Sequence, residues 1–439
     1  MRIEITDKNN FINMFNQMYP EAHLRAINGL TTDSRKIMNN DIYIPIKGNS
    51  FDGHDFIYNS LSNGAVASFS EKYIDNSNVI NTQSVLNEII KLCKNWRKLS
   101  KTKIIAITGS NGKTTTKELL YHIMNEKFSC SKTIGNFNST IGLPITFLNS
   151  KLNDDYCILE YGASKPNEIE YLCNIISPDF SYVTNVSYSH IANFDSLEQL
   201  NETKLYLYSA TNKTGKCFIN SDLIKINKDT IKSSYLEYSI NNHSKLKCDF
   251  IPLKKQLIIN GITIQIPDQL GHLKENVLGV YMIAYSLGIE NKEIINSINT
   301  FDLPIGRGNI VKYNNFSLID DSYNANPSSF KIAIKRLNDI KVKGKKILVA
   351  ADMLELGNIA RDEHKNIAGL INDTNIDIII TYGNLIEITQ KYISKKKYSK
   401  HYNNKNKMKI EINNLICEND IIYLKGSRSM CLDYIYKEN

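Results

Sequence analysis

Lys113 and Thr114 stand at the end of a short glycine turn, Thr108-Gly109-Ser110-Asn111-Gly112. The turn follows the apolar β-branched run Ile104, Ile105, Ile107 and precedes the helix-like Thr115-TKELLYHIM. That order builds a phosphate cradle. Glycines let backbone N–H groups approach phosphate oxygens, and a helix N-terminus favours anions. Lys113 can reach β- and γ-oxygens, and the Thr114 hydroxyl can hold Mg2+. A strict Walker A pattern needs glycine where this chain has Ile107, so the form present is the shorter TGxxGKT. A chance glycine turn is the bland alternative, and the strand–turn–helix context favours the cradle. The pattern says that a nucleoside triphosphate is used and names no reaction.

Further candidates fall at the ends of apolar runs. Glu160 closes CIL and reads equally as an ordinary strand-end acid or a Mg2+ ligand. His190 closes SYVTNVSYSH, and Lys204 follows on a segment opened by the capping-box pattern Ser196 to Gln199. Leu197, Leu200 and Lys204 share one helical face, and an inward lysine is uncommon. On its own it reads as a snorkelling or salt-bridged lysine. Asp320 to Pro327, DDSYNANP, follows the run FSLI. Asn and Asp serve turns for backbone reasons, but this density of hydrogen-bonding groups favours ligand contact. Gly426 to Met430, GSRSM, offers backbone N–H groups and Arg428 to an anion.

The elements that must position these residues read as α/β. From 103 to about 302 the strands KIIAIT, YCILEYG, FSYVTNVS and KCFIN alternate with helices, the rhythm of a parallel sheet with crossovers. Asn260-Gly261 predicts a hairpin within 250–266, and a helix at ENVLGVYMIAYSLG ends on Gly288. From about 305 the alternation restarts with FSLIDD, KKILVAAD, DIIITYG and DIIYLKG, as in a second doubly wound sheet that binds ligands beyond its strands' carboxyl ends. The first 98 residues form a small mixed region with a helix-like DGHDFIYNSLSNG, a strand AVASFS and a helical SVLNEIIKLCKNWRKLS. KYISKKKYSK reads as a solvated helix end. Three domains are expected, 1–98, 99–304 and 305–439, with flexible points near 98–103 and 302–308.

Composition narrows the class. At 439 residues and 42% hydrophobic, the chain can bury several cores. Its formal charge of +8 is spread among interleaved acids, which fits a solvated surface with mild attraction for anionic substrates. No long basic run or aromatic–basic alternation points to nucleic acid. Eight cysteines without a CxxC fit buried thiols in a reducing compartment. No signal-like apolar start and no run of about 18–20 apolar residues is present, so a soluble cytoplasmic protein without membrane insertion is expected.

Taken together, the motifs resemble the Mur ligase family nearly end to end. TTDSR and KGNSFDGHDF resemble its uridine-nucleotide domain; TGSNGKTTTKELL, TIGNFNSTIGLP, LEYG and VTNVSYSH its P-loop ATPase domain; DDSYNANPSS, DMLELG with His364 following, and KGSRSM its Rossmann-like C-terminal ligase domain. DSYNANP and DMLELG resemble the branch that adds D-alanyl-D-alanine to UDP-MurNAc-tripeptide, rather than sister ligases or a protein that merely binds nucleotide. The resemblance implies an ATP-driven amide synthesis through an acyl phosphate, with Mg2+, by a monomer. It implies Thr114, Glu160, His190 and a carbamylated Lys204 as metal ligands, and Lys113 on phosphate. Asn276 would contact adenine, Arg307 phosphate and Asp321 ribose. Ser34 and Arg35 would contribute to the uridine-nucleotide site, Asn136 and Asn138 to the muramoyl end, and Asn324, Asn326 and Arg428 to substrate binding. The third peptide residue, meso-diaminopimelate or L-lysine, stays open. Two departures stand out: Ser187-Tyr188-Ser189 replaces the family's Gly-Pro-Ala before the histidine, and Ala351 replaces a glycine before Asp352. Labile acyl phosphate further predicts an open form that closes on nucleotide.

Overall fold

The computed structural model describes residues 1–48, 50–240 and 246–436, the side chain of Lys247 excepted. Three sheets follow one another along the chain. The first has five short strands between Arg2 and Asn81, the opening pair antiparallel and the rest parallel. Helix Val85–Leu99 leads out of it, capped by Ser84 on the Asn87 N–H.

The central sheet has nine strands. Lys103–Thr108 lies inside it, between Tyr156–Glu160 and Phe180–Val183, all parallel. Burial on both faces accounts for its unbroken Ile/Ala run. The sheet continues through Lys216–Asn220 to Ser234–Ser239 and Leu246–Ile251, two parallel strands that the sequence pattern did not single out. The hairpin Gln256–Ile259/Ile262–Gln265 closes that edge on the expected Asn260-Gly261 turn, with φ of 49° and 82°. Helix Lys274–Ser286 covers one face and is buried along most of its length.

The third sheet orders its strands Asn309–Lys312, Phe316–Asp321, Asp420–Lys425, Lys346–Ala351, Ile378–Tyr382, Tyr398–Tyr402. All but the first are parallel, with an apolar cluster on each face. The edge strand Tyr398–Tyr402 corrects the reading of KYISKKKYSK. The helix ends at Tyr392, and the lysines flank and enter a charged edge strand on which Lys400 pairs with Glu411 at 2.5 Å. Five cysteines are buried, Cys130 is half-buried, and Cys417 and Cys431 are exposed; all eight are free thiols. Among the described residues no helix is long and apolar enough to cross a membrane.

The packing also revises the flexible points. One apolar cluster runs from Phe11, Phe15 and Trp96 into Leu143, Phe147 and Leu159 of the central unit. Trp96 Nε1 donates to Ser150 O at 3.1 Å, and Arg97 to Thr102 O at 3.0 Å. Residues 98–103 are therefore clamped rather than hinge-like. Residues 302–308 are held too: Gly306 N–H donates to Asn309 Oδ1 at 2.9 Å and Gly308 N–H to Asp320 O at 2.6 Å, with Gly306 and Gly308 at φ of 77° and 88°, a backbone that side chains with a Cβ rarely adopt.

Candidate active site

The loop from Gly109 to Gly112 crosses from strand Lys103–Thr108 to helix Lys113–Met124. Both glycines are required. A Cβ on Gly109 (φ 141°) would sit 2.0 Å from Thr184 Oγ1, and one on Gly112 (φ 79°) would sit 2.5 Å from Asn276 Nδ2. The backbone N–H groups of Ser110 and Asn111 are spent on Asn185, at 2.9 and 3.1 Å. The first intrahelical bond is Thr116 N–H to Gly112 O, which leaves the N–H groups of residues 113–115 free to meet an anion. Lys113 Nζ folds back onto Gly109 O at 2.7 Å. Burial lowers its pKa, Glu160 counters this, and Arg307 adds to the lowering.

Beside the loop, Thr114 Oγ1 donates to Glu160 Oε2 at 2.9 Å, and Asn138 Nδ2 donates to Glu160 Oε1 at 2.7 Å. His190, left-handed at φ 54°, directs Nδ1 to Glu355 Oε2 at 2.5 Å. Its pKa is lowered by burial, against the pull of Glu355. Lys204 is buried on helix Leu197–Ser209, next to this group rather than on the cleft wall. Burial, then the charge of Lys113, push its pKa down to about 7, with Glu168 opposing. Ser196 caps that helix as expected, although Gln199 reaches back to Asp195 N–H instead of completing the box.

The third sheet supplies the opposite wall. Arg307 lies 3.7 Å from the Tyr323 ring centroid and donates to Thr114 Oγ1 at 3.0 Å. Asp321 accepts from Lys425 Nζ at 2.7 Å, and the same ammonium holds Asn324 O at 3.0 Å. Asn326 caps helix Pro327–Asp339 through Ser329 N–H and donates to Asn111 Oδ1 at 2.7 Å. Arg428 pairs with Asp433 at 3.2 Å. Between the walls is a cleft of about 620 Å3. Ser110 to Thr115, Asn136, Asn138, Glu160 and His190 line one side; Arg307, Asp321, Asn324, Asn326 and Arg428 line the other.

Other predicted residues lie elsewhere. Thr108 is buried with its hydroxyl on Tyr161 O at 2.7 Å. Asn276 is buried behind the loop, donating to Thr116 Oγ1 at 2.9 Å. Ser34 and Arg35 form a surface turn after the first sheet's second strand, outside the cleft, where Arg35 forks onto Asp33 at 2.8 and 2.9 Å. Sequence reasoning missed Lys425, Glu355 and Lys117. For Lys425 the signal was a lysine ending the otherwise apolar strand DIIYLK. His364 proves to be a support: it is fully buried, and its Nε2 accepts from Met353 N–H at 3.1 Å, holding the DMLELG turn.

The serines that depart from the family pattern acquire a role. Ser110 Oγ donates to Ser187 O at 2.8 Å, Asn111 Nδ2 donates to Ser187 Oγ at 3.1 Å, and Ser189 Oγ donates to Ser110 Oγ at 3.0 Å. They pin the phosphate loop to the loop carrying His190. With Asn326–Asn111, Arg307–Thr114 and His190–Glu355, the C-terminal sheet is docked on the central one; the structure shows this docked arrangement rather than an open one. Asn326 thus has two separable jobs. Asn326→Ser should keep the cap and lose the bond to Asn111, raising KM with unfolding unchanged. Asn326→Ala should in addition cost about 1 kcal/mol in urea unfolding. Equal stability of the two variants would remove the capping role.

The donor set fits Mg2+. Among the described residues no three His, Cys, Asp or Glu side chains form a ready-made cage. Mg2+ ordinarily takes one or two carboxylates and completes its shell with phosphate oxygens and water. Thr114 Oγ1 and Glu160 offer hard oxygens beside the cradle.

Comparison with known proteins agrees with this arrangement. Residues 26–107 match the Mur ligase family catalytic domain, 107–284 the Mur ligase middle domain, and 306–428 the Mur ligase glutamate ligase domain. UDP-N-acetylmuramoyl-tripeptide–D-alanyl-D-alanine ligase of Bacillus subtilis (strain 168) is 30% identical over 434 residues, 95% of this chain and 94% of that protein. Its namesake from Buchnera aphidicola subsp. Baizongia pistaciae is 33% identical, over 99% and 97%. MurF from Acinetobacter baumannii superposes with a TM-score of 0.83 at 22% identity over 97% of both chains. MurF ligase from Thermotoga maritima in complex with ADP gives 0.78 at 25% identity, over 92% and 95%. With all three domain matches in order and full-length relatives at this identity, the chain belongs to the Mur ligase family.

Proposed function

We propose that this chain is an ATP-dependent amide ligase that joins D-alanyl-D-alanine to UDP-MurNAc-tripeptide, forming the pentapeptide precursor of peptidoglycan. The observation that carries the reading is the single cleft in which the phosphate cradle, Glu160 and His190 face Arg307, Asn324, Asn326 and Arg428. The relatives named above support the branch. The reaction must bring a peptide carboxylate to the γ-phosphate of ATP. The carboxylate displaces ADP to form an acyl phosphate; the dipeptide amine then attacks its carbonyl carbon, and phosphate leaves with the amide formed.

Two anions must meet, so cations are needed. Lys113 and the N–H groups of residues 113–115 bind the transferring phosphoryl group, and Arg307 closes over it from the opposite wall. Thr114, Glu160 and His190 would hold Mg2+, which supplies charge neutralisation at the phosphate oxygens. Asn136 and Asn138 bind the muramoyl end, while Asn324, Asn326 and Arg428 hold the incoming dipeptide. Thr108 and Asn276 support the loop from behind, Asn276 also facing toward the adenine side. Asp321, fixed by Lys425, meets the ribose; Ser34 and Arg35 receive the uridine nucleotide. Lys204 we take to be carbamylated: its ammonium gives up one proton, the neutral amine attacks CO2, an N–C bond forms and a second proton leaves, so that a group crowded by Lys113 becomes an anionic oxygen donor.

We further propose domain limits of 1–98, 99–304 and 305–439, and a cytoplasmic monomer. Support comes from the three successive sheets, from a cleft built by one chain, and from free, largely buried thiols. The test is ATP-dependent phosphate release with the L-lysine or meso-diaminopimelate tripeptide nucleotide. Release that requires D-Ala-D-Ala is expected with one of them. Release that is indifferent to the dipeptide, or driven by another amino acid, would overturn the reading.

A further inference from the structure

Lys117 is the most fully buried lysine of the chain's phosphate-loop helix, with no exposed side-chain surface. A buried ammonium persists only when its donors are matched. Here all three are: Nζ reaches Thr133 O at 2.6 Å, Gly135 O at 3.0 Å and Glu118 Oε1 at 2.9 Å, and Glu118 is shared with Lys132. The two carbonyls belong to the turn that leads to Asn136 and Asn138.

That turn is also fastened by Thr133 N–H to Ile158 O at 3.0 Å and Ile134 N–H to Thr146 Oγ1 at 3.1 Å, and by bonds that converge on Glu160. Thr133 Oγ1 accepts from Glu160 N–H at 2.8 Å, and Asn138 Nδ2 donates to Glu160 Oε1 at 2.7 Å. Gly162 N–H donates to Asn138 O at 2.8 Å, and Thr114 Oγ1 donates to Glu160 Oε2 at 2.9 Å. The contacts form a ring: helix to turn through Lys117, turn to strand end through Asn138 and Glu160, and strand end back to the helix through Thr114. Thr114 and Lys117 are three residues apart on the same helix and so share a face. Both oxygens of Glu160 are thereby engaged, one from the helix directly and one through the turn that Lys117 holds. Gly135 lies at φ 53°, and nothing surrounds its Cβ position, so local packing at that residue does not set the turn.

We infer that Lys117 is a positioning residue, whose ammonium fixes the 133–138 turn so that Asn138 orients the Glu160 carboxylate and the muramoyl end of the substrate meets it in register with the phosphate loop. Besides Lys117, the helix meets the start of the turn through Lys132, which pairs with Glu118 and lies over the Tyr121 ring, but only Lys117 reaches the carbonyls of Thr133 and Gly135. A neutral apolar side chain would fill the space and leave two carbonyls and Glu118 without their cation. The inference rests on the reading of Asn136 and Asn138 as the muramoyl contact.

The experiment compares Lys117→Met, Lys117→Arg and Asn138→Ala by steady-state kinetics, varying UDP-MurNAc-tripeptide and ATP separately, with thermal unfolding to confirm folded protein. Lys117→Met should raise KM for the tripeptide nucleotide about tenfold or more and lower kcat, while KM for ATP stays within about twofold, because misplacement of about 1 Å suffices for such losses. Lys117→Arg, which keeps the charge and donors, should recover part of the loss. Should Lys117→Met fail to fold, Lys117→Gln carries the test with an intermediate split of the same kind. Wild-type constants, or parallel weakening of both substrates, would overturn the inference. Asn138→Ala separates the two layers. If it leaves KM for the tripeptide nucleotide unchanged, the muramoyl reading fails; if it raises that KM and the Lys117 variants do not, only the role of Lys117 fails.

Discussion

Lys113→Ala should abolish ligation while leaving the fold in place. The side chain reaches over the loop to Gly109 O and stands among Glu160, Arg307 and Lys204 rather than in an apolar cluster. We propose that its charge serves the phosphate. Removing one oriented donor at a site of developing charge costs about 10²–10³ in kcat, and a full positive charge should reach at least the upper end. Stability should move little, and the sign follows from linkage. The folded pKa of Lys113 is lowered, so at neutral pH the unfolded chain binds the proton more tightly than the folded one. That term opposes folding below the unfolded pKa and fades as pH rises, so truncation removes a cost. Phosphate release at single-turnover enzyme excess, together with a thermal melt, checks both halves. Near-normal turnover would sink the phosphate-cradle assignment, and a collapsed melt would recast Lys113 as structural.

Lys204→Ala should be nearly inactive, by about 10²-fold or more in kcat, and short carboxylates such as formate or acetate should restore part of the rate. The argument is electrostatic. An amine buried beside Lys113, with its pKa pushed down to about 7, is largely neutral and nucleophilic at mildly alkaline pH. The carbamylation we propose would replace repulsion with attraction and add an oxygen donor near His190. Labelling the wild-type enzyme with 13C-bicarbonate should give a carbamate resonance that Lys204→Ala lacks. A fully active Lys204→Ala enzyme would end the role; no carbamate signal together with no chemical rescue would leave Lys204 unmodified.

The docked C-terminal sheet gives these predictions a common frame. Arg307 touches Thr114, Asn326 touches Asn111, and Glu355 touches His190, so each wall's chemistry is completed by the other. The boundary at 98–103 is held by Trp96, Arg97 and an apolar cluster that crosses it, and the boundary at 302–308 by the hydrogen bonds of Gly306 and Gly308.

By itself the sequence determined whatever is local. The strand, glycine turn and helix of the cradle follow from β-branched periodicity and from two positions that only glycine can occupy. The hairpin follows from Asn260-Gly261, and the alternation of the last 135 residues follows from apolar runs ending in acids or glycine. Of the residues that line the cleft, 110–115, 160, 190, 321, 324, 326 and 428 could be picked out because they follow an apolar strand or open a helix, whereas 136, 138 and 307 came only with the family resemblance. Tertiary structure decided what depends on two distant segments meeting. Lys117 reads on the page as one more helix lysine, and only the approach of Thr133 and Gly135 makes it a buried tether. Ser187 and Ser189 read as a departure until Ser110 and Asn111 lie against them. That Thr108 bonds Tyr161 O and Asn276 bonds Thr116 Oγ1, both behind the loop, exists only once these segments pack together. Periodicity reports which face of an element is buried; it carries no information about which far-off group satisfies a polar atom there, since that pairing exists only once the sheets have docked.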